Sequence, residues 1–284
     1  MYFDSHIHLS HRSYDDTFSA VDGRAGYHII PQITREELIQ LSKDSHIGLF
    51  LDPGIDLESN YKLLALNSKY PDTVLPAVGI HPTRAPRTPF RDRKILKKMS
   101  LDPRVVAIGE LGLDFHYDRK DQHRFKQYCW FIWQLSLAHK RQLPLVLHIR
   151  MAHNEAISVL RKYKNKLHGG VCHCFKGNAA EAHIYTRELG FMLGIGGSLL
   201  QASDHLTELE EAVYATPLEY LLLETDGPYV SPSRPVQIPK SQWRKGNNTS
   251  LILPQVASRI AEIKGLTLEE VVETTTRNGI RLFL

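Results

Sequence analysis

A chain of 284 residues, 42% hydrophobic and 23% charged, can bury a full core, which excludes a disordered chain and removes the need for disulfide staples. Its three cysteines, Cys129, Cys172 and Cys174, cannot all pair, its N-terminus MYFDSHIHL has no basic leader, and no apolar run approaches the roughly 18 residues of a membrane span, so a cytoplasmic protein with no membrane contact is expected. The net charge of +4 at pH 7 favours anionic partners without choosing one.

In chain order, short apolar runs at 2–9, 46–51, 74–81, 104–110, 144–149, 169–174, 190–195 and 219–225 predict eight strands. Several, such as LPLVLHI and YLLLETD, are almost continuously apolar, as strands covered on both faces of a parallel sheet are. Helical patterns lie between them. Thr34 with Glu37, and Thr267 with Glu270, have the spacing of capping boxes that open helices. Over 122–142, Phe125, Cys129, Ile132, Leu135 and Ala138 recur at helical spacing and predict a buried face. Residues 10–30 fit no regular unit and are expected to form a long loop after the first strand. Eight strands alternating with helices predict an α/β protein, a closed (β/α)8 TIM barrel in a single domain over 1–284, with an open doubly wound sheet as the rival. A monomer is the default.

Residues with ligand chemistry fall where the apolar runs stop. Asp4-Ser5-His6-Ile7-His8 alternates at period 2, which points His6 and His8 the same way and sends Ile7 and Leu9 outward. His81 ends AVGIH, Glu110 ends VVAIGE, His148 ends LPLVLH, His173 lies within GVCHCF and Asp226 ends YLLLETD. Strand C-termini of a barrel converge on one rim, where such folds keep their active sites. One HxH pair is as well read as two surface histidines; repetition at five other strand ends is the stronger signal. Alternation turns Cys172 and Cys174 away from His173, into packing against helices. Asp4 shares the face of His6 and His8 but lies deeper, which predicts a residue that orients a ligand histidine. His81 either contacts an anionic substrate or is a hydrogen-bonded histidine at the barrel mouth. Arg150 shares the face of His148 and either clamps a phosphate or pairs with a neighbouring carboxylate.

DSHIHL, AVGIHP, IGELGLDF, the helix beginning at Gln122, PLVLHIR, HCFKG, LLETDGPY and TTRNGIRLF together make the chain similar, over nearly its whole length, to the TatD deoxyribonucleases within the amidohydrolase-like metal barrels. The resemblance implies two divalent metal ions, one held by His6, His8 and Asp226, the other by His148 and His173, with Glu110 bridging them. It implies a metal-dependent hydrolase cleaving phosphodiester bonds of DNA, single-stranded or frayed, in an exonuclease-like manner, with RNA as a further candidate substrate. Glu110, Asp226 and His81 would serve catalysis, and His81 and Arg150 would hold substrate. The ligand set suits Zn, Mn, Co or Fe by softness, whereas the family's nuclease activity goes with Mg; the ion stays open among Mg, Mn and Zn. An Asn-Glu-Pro motif usual after the last strand is replaced by Asn248-Thr249-Ser250, without its acid. Lys176 and His116 also depart from the family pattern.

Two stretches bear on the substrate. From Gly227 through Ala261 there is no acidic residue, while Arg234, Lys240, Arg244, Lys245 and Arg259 occur with Tyr229 and Trp243. Cations beside aromatics suit a single-stranded backbone with stacked bases, although Trp243 itself is better explained by packing on the barrel. Arg84 and Arg87 closely follow His81 and are placed to meet phosphate; Arg91, Arg93, Lys94, Lys97 and Lys98 have the look of a solvated helix face. A small-molecule metallohydrolase on the same barrel, and a non-catalytic metal-barrel binding protein, are the competing readings.

Overall fold

A computed structural model describes residues 1–116, 121–201, 206–232 and 246–284. The chain opens with β1 (Tyr2–Asp4), an antiparallel hairpin of β2 (Phe18–Asp22) and β3 (His28–Ile33), α1 (Arg35–Asp44) and β4 (Ile47–Pro53). There follow α2 (Leu57–Lys69), β5 (Val74–Val78), α3 (Arg93–Met99), β6 (Ala107–Asp114), α4 (Arg124–Arg141) and β7 (Leu145–Arg150). The second half comprises α5 (His153–Tyr163), β8 (Gly170–Cys172), α6 (Ala179–His183), β9 (Met192–Ile195), α7 (Leu206–Ala215), β10 (Leu221–Leu223), α8 (Leu253–Lys264) and α9 (Leu268–Phe283). Among the described residues, no helix is long and apolar enough to cross a membrane.

All eight predicted barrel strands are present, and each pairs in parallel with the next one along the chain, in the order β1-β4-β5-β6-β7-β8-β9-β10. The ring closes just past the short outer strands. Ser5 N–H donates to the Leu223 carbonyl at 2.9 Å, Asp226 N–H to His6 at 2.8 Å, and His8 N–H to Gly227 at 2.8 Å. A closed (β/α)8 TIM barrel results, not the open sheet.

Period-2 alternation explains the floor of the site. One apolar cluster comprises Leu75, Ala77, Ala107, Val146, Val171 and Leu222 with Phe3, Leu51, Met192 and Phe283. Val146 precedes His148 by two positions, Val171 precedes His173 by two, and Ala77 and Leu222 precede His81 and Asp226 by four. The strand face that packs the barrel interior therefore emerges as the polar rim. Glu110 breaks the parity, standing three positions after Ala107. The register of β6 on β7 shifts between Gly109 and Leu111, and such an irregularity re-aims a side chain. Glycine is required beside it. A Cβ on Gly79 would meet the Gly109 carbonyl carbon at 2.4 Å, and one on Gly109 would meet Val146 Cβ at 2.5 Å.

Both expected capping boxes form, Thr34 with Glu37 and Thr267 with Glu270. Two expectations are corrected. Residues 10–30 are no simple loop, because they hold β2 and part of β3. Pro31 and the short, poorly alternating runs hide this hairpin from a pattern search. It packs across the segment that begins at Gly246, with Val21 N–H donating to the Asn247 carbonyl and Asn247 N–H to the Ser19 carbonyl. In α4 the buried stripe is Gln127, Trp130, Phe131, Gln134, Leu135 and Ala138, and Phe125 is exposed. Apolarity alone sets the phase wrongly, because two glutamines occupy core positions.

Those glutamines complete the sheet. The Gln134 amide accepts from Ile80 N–H at 2.8 Å and donates to the Ile80 carbonyl at 3.0 Å. Gln127 does the same for the backbone of Asp114, at 2.8 and 3.0 Å. Each mimics a ladder partner for a strand end that has run beyond its neighbours. Gln134→Leu leaves two buried backbone groups unpaired beside His81. It is expected to lower the unfolding free energy by about 2–5 kcal/mol, read from urea denaturation; an unchanged midpoint would show that these bonds do not brace the strand end.

Candidate metal centre

The predicted residues meet at the C-terminal rim. His6 Nε2 and His8 Nε2 are 3.3 Å apart. Glu110 Oε2 lies 3.7 Å from the first and 3.6 Å from the second, and Asp226 Oδ1 lies 3.7 and 3.5 Å from them. The three atoms from His6, His8 and Asp226, 3.3–3.7 Å apart, can share an ion at about 2.0–2.3 Å, the ligand distance of a zinc-like ion. The other Glu110 oxygen faces a second group. Oε1 is 2.8 Å from His173 Nε2, 2.9 Å from His148 Nδ1 and 3.5 Å from His81 Nε2. The His6 and His173 rings stack at 3.7 Å and join the two halves. His6, His8 and Asp226 form one set of ligand atoms able to hold an ion; Glu110 completes two further sets, with His6 and His173 and with His81 and His148.

Hydrogen bonds behind the rings assign their tautomers. The Pro53 carbonyl accepts from His8 Nδ1 at 3.1 Å, which leaves a lone pair on Nε2 facing the cluster. Asp114 Oδ2 accepts from His148 Nε2 at 3.0 Å, so the His148 lone pair faces inward on Nδ1. Glu224 Oε1 lies 3.6 Å from His173 Nδ1 and favours the same outcome at Nε2. His81 is the reverse case. Thr83 N–H donates to its Nδ1 at 3.1 Å, so the neutral ring carries its proton on Nε2, which points into the site.

Burial pushes the Glu110 carboxyl up, but His173, His81 and His6 around it outweigh burial and hold it well below the usual carboxylate range. Burial, then the charge of His173, holds His6 well below the usual histidine range. Burial, then His148, lowers His81 to about 3. Burial lowers His8, His148 and His173 as well, but the carboxylates beside them outweigh it and raise all three, His8 to about 8, so a metal would bind at these rings by displacing protons, beside an ionised Glu110. The buried Nδ1 of His6 and of His173, and Oε2 of Glu224, lack hydrogen-bond partners. Buried ligand atoms converging in these groups fit divalent ions.

Strand-end position alone does not single out Asp114 or Glu224, both fully buried. Alternation was the available signal, since Asp114 stands four residues after Glu110 and Glu224 two before Asp226. Asp4 is corrected. Its carboxylate accepts from the backbone N–H of His6, from Thr225 N–H and hydroxyl, and from the Ser250 hydroxyl at 2.6 Å, and from no imidazole ring. It fastens the main chain of β1 to that following β10. Asn248, Thr249 and Ser250 are fully buried, and Asn248 donates to the Thr225 carbonyl, so this segment braces the rim. Cys172 is buried as expected, whereas Cys174, at φ 46°, lines the cleft beside Ser198.

Above the cluster lies a cleft of about 830 Å³ walled by Arg84, Arg150, Lys176, Tyr229, Ile55 and Val230. Arg87 does not line it. Arg93 is no solvated helix residue, because its guanidinium donates to the Cys129 carbonyl and lies over Phe90. Arg259 is bound by Glu210 and Glu262. Arg234, Lys240, Trp243, Arg244 and Lys245 lie outside the described residues.

With the ligand geometry in view, comparison with known proteins is decisive: the family profile described as TatD related DNase matches residues 3–284. The chain belongs to this TatD family. A Bacillus subtilis protein named "Uncharacterized metal-dependent hydrolase YabD" is 30% identical over 100% of this chain and 99% of its own length. The "3'-5' ssDNA/RNA exonuclease TatD" of Cronobacter sakazakii is 33% identical over 88% of this chain and 92% of its own. Among solved structures, the TatD homologue YjjV from Escherichia coli shares the barrel with a TM-score of 0.80 at 24% identity, covering 99% of this chain and 97% of that one. This TatD-family chain is a metal-dependent hydrolase by kinship, and its rim holds clusters suited to the metal.

Proposed function

We propose that the protein is a nuclease that hydrolyses phosphodiester bonds of single-stranded DNA, and of RNA, from the 3′ end, with two divalent ions, Mg, Mn or Zn, at the barrel rim. One observation carries the reading: the two oxygens of Glu110 face two separate groups of inward-pointing ligand atoms. His6, His8 and Asp226 with Glu110 Oε2 would hold one ion, and His148 and His173 with Glu110 Oε1 the other. The name of the Cronobacter sakazakii relative supports the substrate and direction.

When bound, paired divalent ions lower the pKa of a water molecule and neutralise charge building on a phosphodiester. The chain supplies the rest. Asp226, the most exposed of the cluster carboxylates at 14%, takes the proton of the attacking water. His81 offers its Nε2–H to a phosphate oxygen, a role its tautomer suits better than metal ligation. Arg84, Arg150 and Lys176 in the cleft wall meet the flanking phosphates. The free cysteines suit a monomer working in a reducing cytosol.

The test is digestion of 5′-labelled single-stranded DNA with added Mg or Mn. Progressive shortening from the 3′ end is expected. Intact DNA with every metal tried, alongside turnover of a small ester or lactone, would replace this reading with the small-molecule hydrolase. No turnover of any substrate would favour the binding protein.

A further inference from the structure

We propose that Tyr229, braced by His11, is the stacking platform for the nucleobase beside the bond being cut; the inference rests on the nuclease reading above. Tyr229 follows Asp226 by three residues, and its backbone N–H donates to the Asp226 carbonyl at 2.8 Å. This main-chain bond holds Tyr229 one tight turn from the candidate ligand Asp226. The ring meets His8 edge-on, with centroids 5.8 Å apart and planes at 78°, and meets His11 at 5.5 Å and 62°. The Tyr229 hydroxyl and His11 Nε2 are 3.1 Å apart. Ser13 N–H donates to His11 Nδ1 at 3.1 Å, so the neutral His11 carries its proton on Nε2 and the Tyr229 oxygen accepts it.

This ring is fixed at its edge and its tip, yet it remains 46% exposed in the cleft wall. An aromatic kept only for packing hides its faces. Tyr229 leaves surface open one imidazole away from the candidate ligand atom of His8. Because its rotamer is already held, little side-chain freedom is lost when a base docks. Positive charge flanks it. Arg84 lines the same cleft, and Arg12, next to His11, is exposed, with no ion pair among the described residues. Cations around an exposed ring form a surface for single-stranded nucleic acid, and stacking tolerates every base because each has a π face.

The experiment compares wild type, Tyr229→Phe and Tyr229→Ala on two 5′-labelled oligodeoxynucleotides. One carries ordinary bases, and the other has tetrahydrofuran abasic residues at its two 3′-terminal positions. For wild type, kcat/KM on the base-bearing strand should exceed that on the abasic strand by about 5- to 100-fold, chiefly through KM. Tyr229→Phe should keep that ratio, and Tyr229→Ala should bring it close to one. If Tyr229→Ala loses equally on both strands and keeps the ratio, the ring merely braces the loop and the platform is rejected. The platform is also rejected if Tyr229→Ala is unchanged on both. Wild type cutting neither strand with any metal would instead sink the nuclease reading itself, a separate outcome.

Discussion

A Glu110→Ala variant should bind fewer than two equivalents of divalent metal and lose at least about 1000-fold in kcat on single-stranded DNA. Both oxygens of this carboxylate are engaged, one with His6 and His8, the other with His148, His173 and His81. No neighbouring group can replace it. Asp114 is committed to His148 Nε2 and Glu224 to the backbone N–H of Cys174. Glu110→Asp would shorten the reach by one methylene and should keep an intermediate metal content. Metal analysis of gel-filtered protein, with the rate on labelled DNA, checks both variants, and circular dichroism confirms that the barrel persists. Two equivalents of metal bound to Glu110→Ala, or a wild-type rate from it, would remove the shared carboxylate from the mechanism.

Chelation is expected to act on stability as well as rate. Stripping the protein with EDTA should abolish hydrolysis and lower Tm by roughly 10 °C relative to protein reloaded with Mn or Zn. The size follows from linkage. An ion present at about 100 times its Kd stabilises the fold by about 2.7 kcal/mol, so two contribute about 5 kcal/mol. For a chain of this length each kcal/mol moves Tm by about 2 °C. The metal-free cluster gathers imidazoles and carboxylates out of water, with Nε2 of His6 and of His8 at 3.3 Å, an arrangement that a cation relieves. Calorimetry with and without metal, together with titration of two equivalents back to full activity, measures both effects. Equal Tm values for the stripped and loaded protein would show that the cluster does not hold structural ions.

The barrel and the convergence of its rim were legible because both follow from local rules. Apolar runs mark buried strands, alternation decides which side chains share a face, and parallel barrel strands all end at one rim. Hence His6, His8, His81, Glu110, His148, His173 and Asp226 could be grouped from their positions at strand ends. Glu110 illustrates the limit. Simple parity from Ala107 would turn it away, and only the register shift beside Gly109 turns it in. The phase of α4 failed for a related reason: Gln127 and Gln134 are polar but buried, and the backbone they pair with belongs to strands distant in sequence.

By itself the amino-acid order determined the strand and helix alternation, two of the capped helix starts, and which imidazoles and carboxylates stand at strand ends. Tertiary structure alone decided what lies behind each ring, such as the Pro53 carbonyl behind His8, Asp114 behind His148 and the Thr83 N–H behind His81. It also decided that Asp4 clasps Thr225 and Ser250 across more than 200 residues of chain. The reason is physical. Periodicity reports the direction of a side chain relative to its own backbone, whereas tautomer, protonation and partner depend on atoms that closure of the barrel brings from elsewhere.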